Sequence, residues 1–232
     1  MEFLQNKYFL LALTFAAFIG AQWIRRRTGV ALLNPILVAI IGIVAFLLLT
    51  GIDYDCYAEG GSYIDFWLKP AVVALGVPLY RQLESIRKQL LPLLLAELAG
   101  CVAGLVSVVL VARLLQATPE VVLSLAPKAV TTPIAMEVSQ TIGGIPALTA
   151  AVVVCTGIFG SMAGFSMVRM NRIKSPIAGG LSIGTASHAV GTAAAFERRG
   201  MRYGAYSSLG LTLNGLLTAL LSPFILPLLG YC

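Results

Sequence analysis

The stretch that decides the fold is PIAGGLSIGTASHAVGTAAAF, residues 176–196. It is apolar enough for a membrane interior, yet it carries four glycines, several hydroxyl side chains and the only histidine of the chain. Basic residues flank it, with Lys174 before it and Arg198 after it. Because basic loops stay on the cytoplasmic side of a membrane, the stretch is expected to enter the bilayer and return to the same side.

The rest of the chain indicates that the membrane is its environment. Of 232 residues, 58% are hydrophobic and only 11% are charged. Runs without any charged residue cover 8–24, 28–52, 138–168 and 203–232, and one bilayer crossing needs about 20 apolar residues. A soluble enzyme, a secreted disulfide scaffold and a nucleic-acid-binding protein are therefore excluded. The formal net charge of +6 is explained by basic loops that orient the protein and meet anionic lipid.

The uncharged stretches predict six full membrane crossings. The candidate spans are 8–24, 30–50, 64–80, 90–112, 146–168 and 203–229. The third contains Lys69 and two prolines, so a continuous helix is not expected there. Twelve of the sixteen Lys and Arg residues fall in four short loops, whereas the loop at 51–63 is acidic. The positive-inside rule places the basic loops in the cytoplasm, and the acidic loop and both termini outside.

Residues 119–142 are also expected to be re-entrant, from the outer face. The spans 90–112 and 146–168 already give the even number of crossings that two cytoplasmic loops require. The chain is thus predicted to be an all-α polytopic membrane protein with about six full transmembrane helices plus two broken or re-entrant segments. Such segments are typical of carriers built from inverted repeats. Two kinked spanning helices remain an alternative, and a single domain over 1–232, with halves 1–116 and 117–232 as a possible inverted repeat, is expected.

The centre of the first segment, 119–142, places a charged residue and the start of a helix inside the membrane. It reads PKAVTTP, residues 127–133. Pro133 suits the first turn of a half-helix and Thr132 suits its N-cap, so free N–H groups would face an anion there. Lys128 adds a full positive charge, and Glu137 follows about one turn later. Ionisable residues at this depth are functional candidates, although Lys128 could also extend to the membrane surface.

The second segment supplies hydroxyl groups and His188. Histidine titrates near neutral pH and could carry a proton together with an anionic substrate, unless His188 is only a packing residue. Asn34, which also suits a helix start, is a further candidate. The cysteines lack metal-binding spacing, so no metal and no cofactor is expected. The candidates for substrate binding are Lys128, Thr131, Thr132, Pro133, Ser182, Thr185, Ser187, His188, Thr192 and Asn34, and those for proton coupling are His188 and Glu137.

Three motifs resemble the LrgB/CidB family of bacterial membrane proteins. They are residues 127–135, 142–146 and 184–192, with lesser matches at 33–35, at 70–75 with 78–80, and at 205–209. The resemblance implies a place in the cell inner (plasma) membrane and two competing functions. One is a holin/antiholin-like role, with a small LrgA/CidA-like membrane partner, in modulating murein hydrolase activity and cell lysis. The other is small-carboxylate transport, as in the glycolate/glycerate transporter-like member of plant plastids.

The residues favour transport, because a lysis pore needs neither a buried lysine nor paired re-entrant segments. We predict a proton-coupled secondary transporter for a small monocarboxylate of the glycolate, glycerate, lactate or pyruvate class. Lys128 and the half-helix N-terminus would bind the carboxylate, and His188 would handle the proton. An enzyme is not expected, since no Ser/His pair has an orienting carboxylate at readable spacing. The expected partners are the lipid bilayer, the carboxylate substrate and, by analogy with other carriers, a second copy in a homodimer.

Overall fold

The computed structural model describes residues 4–29, 33–74, 76–81 and 83–231, and every regular element within them is an α-helix. Four of these helices are long and apolar enough to cross a bilayer, namely Lys7–Thr28, Leu90–Leu114, Pro146–Met170 and Met201–Leu228. The prediction of an all-α polytopic membrane protein is therefore confirmed. The helices are α1 (Lys7–Thr28), α2 (Pro35–Thr50), α3 (Tyr54–Ala74), α4 (Gly76–Arg81), α5 (Leu83–Lys88), α6 (Leu90–Leu114), α7 (Pro119–Leu125), α8 (Thr132–Thr141), α9 (Pro146–Met170), α10 (Pro176–Arg199) and α11 (Met201–Leu228).

The chain divides into two compact units, residues 1–75 and 76–232. In the first unit, α1 packs against both α2 and α3. Side chains of Asn6 and Asn34 cap α1 and α2, each accepting a backbone N–H two residues ahead. Gly29 and Gly51 then end these helices with a left-handed backbone. The signals at both ends are those that favour helix termini in general.

The acidic stretch 51–63 is not the loop that the sequence predicts, because α3 begins at Tyr54. The side chain of Asp53 accepts the backbone N–H of Tyr54. Asp55 follows in the first turn, where negative charge is favoured by the helix dipole. The helix then passes through Pro70 to Ala74. Residue 75, which falls within the third predicted span, lies outside the described residues.

In the second unit, α10 consists of two half-helices that fold back on each other. The backbone leaves the helical region at Ser187 and His188, and His188 has φ 42° and ψ −139°. A Cβ atom on Gly191 would lie 3.2 Å from Cγ2 of Ile183. Residues eight apart in a straight helix are separated by about 12 Å along its axis. The two halves of α10 therefore form a helical hairpin, which is the shape that a re-entrant segment needs, and we call it the second re-entrant segment.

Both ends of α10 lie at the same end of the second unit. The guanidinium carbon of Arg198 is 5.1 Å from the ring centroid of Phe165, which lies near the end of α9. Tyr203, at the start of α11, has its ring 6.2 Å from that of Phe165 and also contacts Gly179 in the first half of α10. The basic groups at the end of α9 and the start of α11 are thereby brought together, as the charge pattern requires.

The first re-entrant segment consists of α7, a turn over residues 126–131 and α8. Ser124 and Ser139, on opposite sides of the turn, both contact Thr149 of α9, whose Oγ1 is 2.9 Å from the Ser124 carbonyl oxygen and 2.7 Å from Ser139 Oγ. Val130 and Ala135 pack together with Val153, one turn further along α9. The chain thus runs along α9 towards its middle and returns.

The start of α8 differs by one residue from the prediction. Thr132 is its first helical residue, and Thr131 occupies the N-cap position with φ −65° and ψ 147°. The Thr131 side chain makes no capping hydrogen bond. Pro133 lies in the first turn, as predicted, because a missing N–H has no cost where the helix supplies no acceptor.

Candidate functional site

The tips of the two re-entrant segments meet beside the middle of α9. Nε2 of His188 donates to the carbonyl oxygen of Val153 at 2.9 Å. The side chain of Val153 packs against Val130 and Ala135 of the first segment. A single residue of α9 therefore contacts both tips, one through its backbone and the other through its side chain.

Asn214 of α11 joins the same two tips. Its Nδ2 donates to the carbonyl oxygen of Ala129 at 3.3 Å and to that of Thr185 at 2.9 Å. The residue four positions after Ala129 is Pro133, which has no backbone N–H, and Thr185 lies two residues before the break at Ser187. A buried carbonyl without a partner is costly in a membrane. One amide group thus donates hydrogen bonds to a carbonyl group in each segment and links the two segments.

A cavity of about 430 Å³ adjoins this junction. Its walls come from α6, the first re-entrant segment, α10 and α11. A volume in this range is typical of sites for small molecules. Most of the lining residues are small or apolar, and the side chains that bring polar groups are Glu97, Cys101, Lys128, Ser182, Thr185, Asn214 and Thr218.

Lys128 lines this cavity and also a second cavity of about 380 Å³. Ser182 and Ala186 of α10 are likewise common to both cavities. Within the described part of the chain, the half-buried Lys128 ammonium has neither a carboxylate partner nor a hydrogen bond. A cation in surroundings of low dielectric constant attracts an anion strongly. The position of Lys128 is therefore suited to binding an anion that enters either cavity.

Glu97 lines this cavity but is not among the site residues predicted from the sequence. It lies on α6 with 1% of its surface exposed. Oε1 and Oε2 lie 2.8 Å and 2.9 Å from the hydroxyl oxygen of Thr185. The signal was present, because an acidic residue within an otherwise uncharged span is a functional candidate. Asn214, a lone amide in the uncharged run 203–232, gave a weaker signal of the same kind.

The structure brings only part of the predicted site together. Lys128, Ser182 and Thr185 line the first cavity, and Ser187 lines the second. Thr192 is buried against Ser207, with 2.9 Å between the hydroxyl oxygens, and Asn34 caps α2 in the first unit. Neither of these two cavities is lined by the remaining predicted residues, which are Thr131, Thr132, Pro133, Glu137, His188, Thr192 and Asn34.

Helices long and apolar enough to cross a membrane, two re-entrant segments and a cavity at their junction define a polytopic α-helical membrane protein with a cavity of small-molecule size. The model of the LrgB-like family matches residues 14–228. The chain belongs to this family, as the motifs indicate.

Three curated relatives match over nearly their full length. The uncharacterized protein YwbG of Bacillus subtilis is 36% identical over 93% of this chain and 96% of its own. The holin-like protein CidB of Staphylococcus epidermidis is 35% identical over 97% of each chain. An uncharacterized protein of Haemophilus influenzae is 37% identical over 97% of this chain and 99% of its own. No solved structure gives a significant match to this chain.

The names of these relatives bear unequally on the two predicted functions. The CidB proteins of Staphylococcus epidermidis and Staphylococcus aureus are called holin-like. None of the relatives given above is named as a carrier. The comparisons therefore favour the holin-like alternative over carboxylate transport, and any support for transport has to come from the geometry of the site.

Proposed function

We propose that this protein is a secondary carrier for small monocarboxylate anions of the glycolate, glycerate, lactate or pyruvate class. The observation that supports the proposal is the position of Lys128, which has no carboxylate partner among the described residues and lines two cavities. The hydroxyl groups of Ser182 and Thr185 would bond the remaining oxygens of the substrate. The cavities are of a size that suits such small anions.

Re-entrant segments offer a way to move the site between the two sides of the membrane. Irregular backbone in carriers lies where the substrate binds, and rocking of the elements around it changes the side that has access. In this chain, Asn214 holds both tips through hydrogen bonds that a small displacement would break. The carrier would lie in the inner membrane with its basic loops in the cytoplasm and both termini outside.

The test is uptake of labelled glycolate, lactate and pyruvate into proteoliposomes. The wild-type protein should take up at least one of these anions, with saturation and with inhibition by the unlabelled anion. Lys128→Ala should abolish uptake, whereas Lys88→Ala, which removes an exposed lysine that lines neither cavity, should leave it unchanged. Uptake that is equal in Lys128→Ala and the wild type would contradict the assignment of Lys128.

A holin-like function is the second candidate, and the names of the staphylococcal relatives support it more directly than they support transport. A protein of that kind would release solutes without chemical selectivity or would act through a partner. Release of a trapped dye that is much larger than a carboxylate, from liposomes that show no saturable uptake, would establish this candidate. Retention of the dye alongside saturable uptake would exclude a nonselective pore.

A further inference from the structure

We infer that Glu97 is the proton-binding group that couples anion binding at Lys128 to the proton gradient. This inference rests on the proposed carrier function and assigns its coupling site. Glu97 and Lys128 line the same cavity from different elements, α6 and the first re-entrant segment. Glu97 forms hydrogen bonds only with Thr185 among the described residues, and no cationic group pairs with it there.

The Thr185 hydroxyl can satisfy Glu97 in both of its protonation states. Its oxygen lies 2.8 Å from the carbonyl oxygen of Leu181, as well as within 2.9 Å of both carboxyl oxygens. A hydroxyl group has one proton to donate and can also accept. When Glu97 is ionised, Thr185 donates to the carboxylate. When Glu97 is protonated, its O–H donates to Thr185, which then donates to Leu181.

The charge of the cavity changes with this proton. When Glu97 is ionised, its negative charge offsets that of Lys128, and a second carboxylate is repelled. When Glu97 is protonated, the Lys128 charge is no longer offset and attracts the substrate anion. One proton and one monovalent anion would therefore enter together and leave together, and the cycle would move no net charge.

In the part of the chain that the structure describes, few other titratable groups face Glu97. On α6 itself, the thiol of Cys101 lines the cavity and lies 3.4 Å from the Thr218 hydroxyl. From α11, Tyr206 packs beside Leu93, one turn before Glu97. Lys128 is the charged group contributed by the first re-entrant segment, and α10 contributes hydroxyl groups. Among the described residues of α5 and α7, none lines this cavity.

The two groups that the sequence proposed for the proton lie outside the cavity lining. His188 is buried with its Nε2 bonded to Val153, and Glu137 is exposed on α8. Glu97 therefore has the more direct electrostatic contact with the proposed anion site.

The experiment compares pH-driven accumulation with exchange in proteoliposomes. With an imposed gradient of one pH unit, the wild type should accumulate labelled substrate about tenfold. Glu97→Gln is neutral at every pH, so it should still exchange labelled for unlabelled substrate but should accumulate none. Glu97→Asp should retain accumulation because it keeps an ionisable group. The matched control is Glu120→Gln, which removes an exposed carboxylate on α7 and should behave as the wild type.

The outcomes separate the inference from the proposed function. Full accumulation by Glu97→Gln would overturn the role of Glu97 and leave carboxylate transport intact. If the wild type shows no uptake and no exchange, the carrier function itself is overturned. If Glu97→Gln does not fold, infrared difference spectra of the wild type in lipid at pH 8 decide the matter. Binding of substrate labelled with ¹³C in its carboxylate should then add a protonated-carboxyl band from the protein. The absence of that band would contradict the inference.

Discussion

The two re-entrant segments reverse direction in different ways. The first uses a broad turn, residues 126–131, which ends where α8 begins at Thr132 and leaves Lys128 half-buried beside two cavities. The second reverses within two residues, Ser187 and His188, both of which are buried. The two tips therefore differ in character: the first places a charged side chain beside the cavities, and the second is closely packed.

Glycines explain why the second segment packs so closely. A Cβ atom on Gly184 would collide with the carbonyl oxygen of Ser207, and one on Gly160 of α9 would collide with the Ser187 side chain. Small residues at such crossings let helix backbones approach each other. Substitutions in the second segment should therefore affect stability first, whereas substitutions in the first should affect transport first.

The largest effect is expected where the two segments are joined. Asn214→Leu leaves the carbonyl groups of Ala129 and Thr185 without a donor. Each unsatisfied buried group costs about 1–3 kcal/mol, so the midpoint of thermal unfolding in detergent should fall sharply and uptake should be lost. Thr212→Val, which removes only a hydroxyl bond to a carbonyl of the same helix, is the control. A stability equal to that of the control would mean that Asn214 does not hold the tips.

Gly184→Ala tests the packing of the second segment. Its new methyl group meets backbone atoms of Ser207 and Leu211, and overpacking of this kind costs about 1–3 kcal/mol. Gly104→Ala is the matched control, because nothing lies within 4 Å of its Cβ position, and alanine in a helix should raise stability by up to about 1 kcal/mol. Thermal unfolding of the two variants should move in opposite directions. A shift of the unfolding midpoint in the same direction in both variants would mean that Gly184 is not closely packed.

Lys128→Met tests the charge of the first segment. The variant should fold at least as stably as the wild type, because it removes a charge from a partly buried position without breaking a hydrogen bond within the described chain. Uptake should fall at least about 30-fold, which corresponds to roughly 2 kcal/mol of lost anion binding. The measurement pairs thermal unfolding with initial uptake rates. A large loss of stability with normal uptake would contradict the expectation that substitutions in the first segment affect transport before stability.

The smallest effect concerns the backbone of His188. Its φ of 42° is strained for a residue with a side chain, and glycine adopts it readily. His188→Ala and His188→Gly both lose the hydrogen bond to Val153. The difference in their stability therefore measures the cost of the backbone conformation alone. The glycine variant should be more stable by about 1 kcal/mol, as measured by thermal unfolding. Equal stability would indicate that the turn relaxes when the imidazole is removed.

The sequence predicts the two interruptions well, because prolines at 127 and 133 and the glycine-rich stretch around His188 are local signals. It also predicts that the basic groups lie at one end, since charge alone determines that. The contacts of Asn214 with Ala129 and of Glu97 with Thr185 join residues 85 and 88 positions apart. No local pattern encodes such pairs. Hydroxyl groups that look functional in the sequence, such as Thr192, satisfy one another inside the packing.

The central claim is that the two tips meet at the cavity, and a cysteine cross-link tests it most directly. Ala129 and Ala186 both line the cavity, so Ala129→Cys with Ala186→Cys, in a background without the native cysteines, should be joined by a short bifunctional thiol reagent. Ala129→Cys with Ser175→Cys should not be, because Ser175 lies about 16 Å further back along the half-helix. Cross-linking of the second pair in preference to the first would show that the tips do not meet.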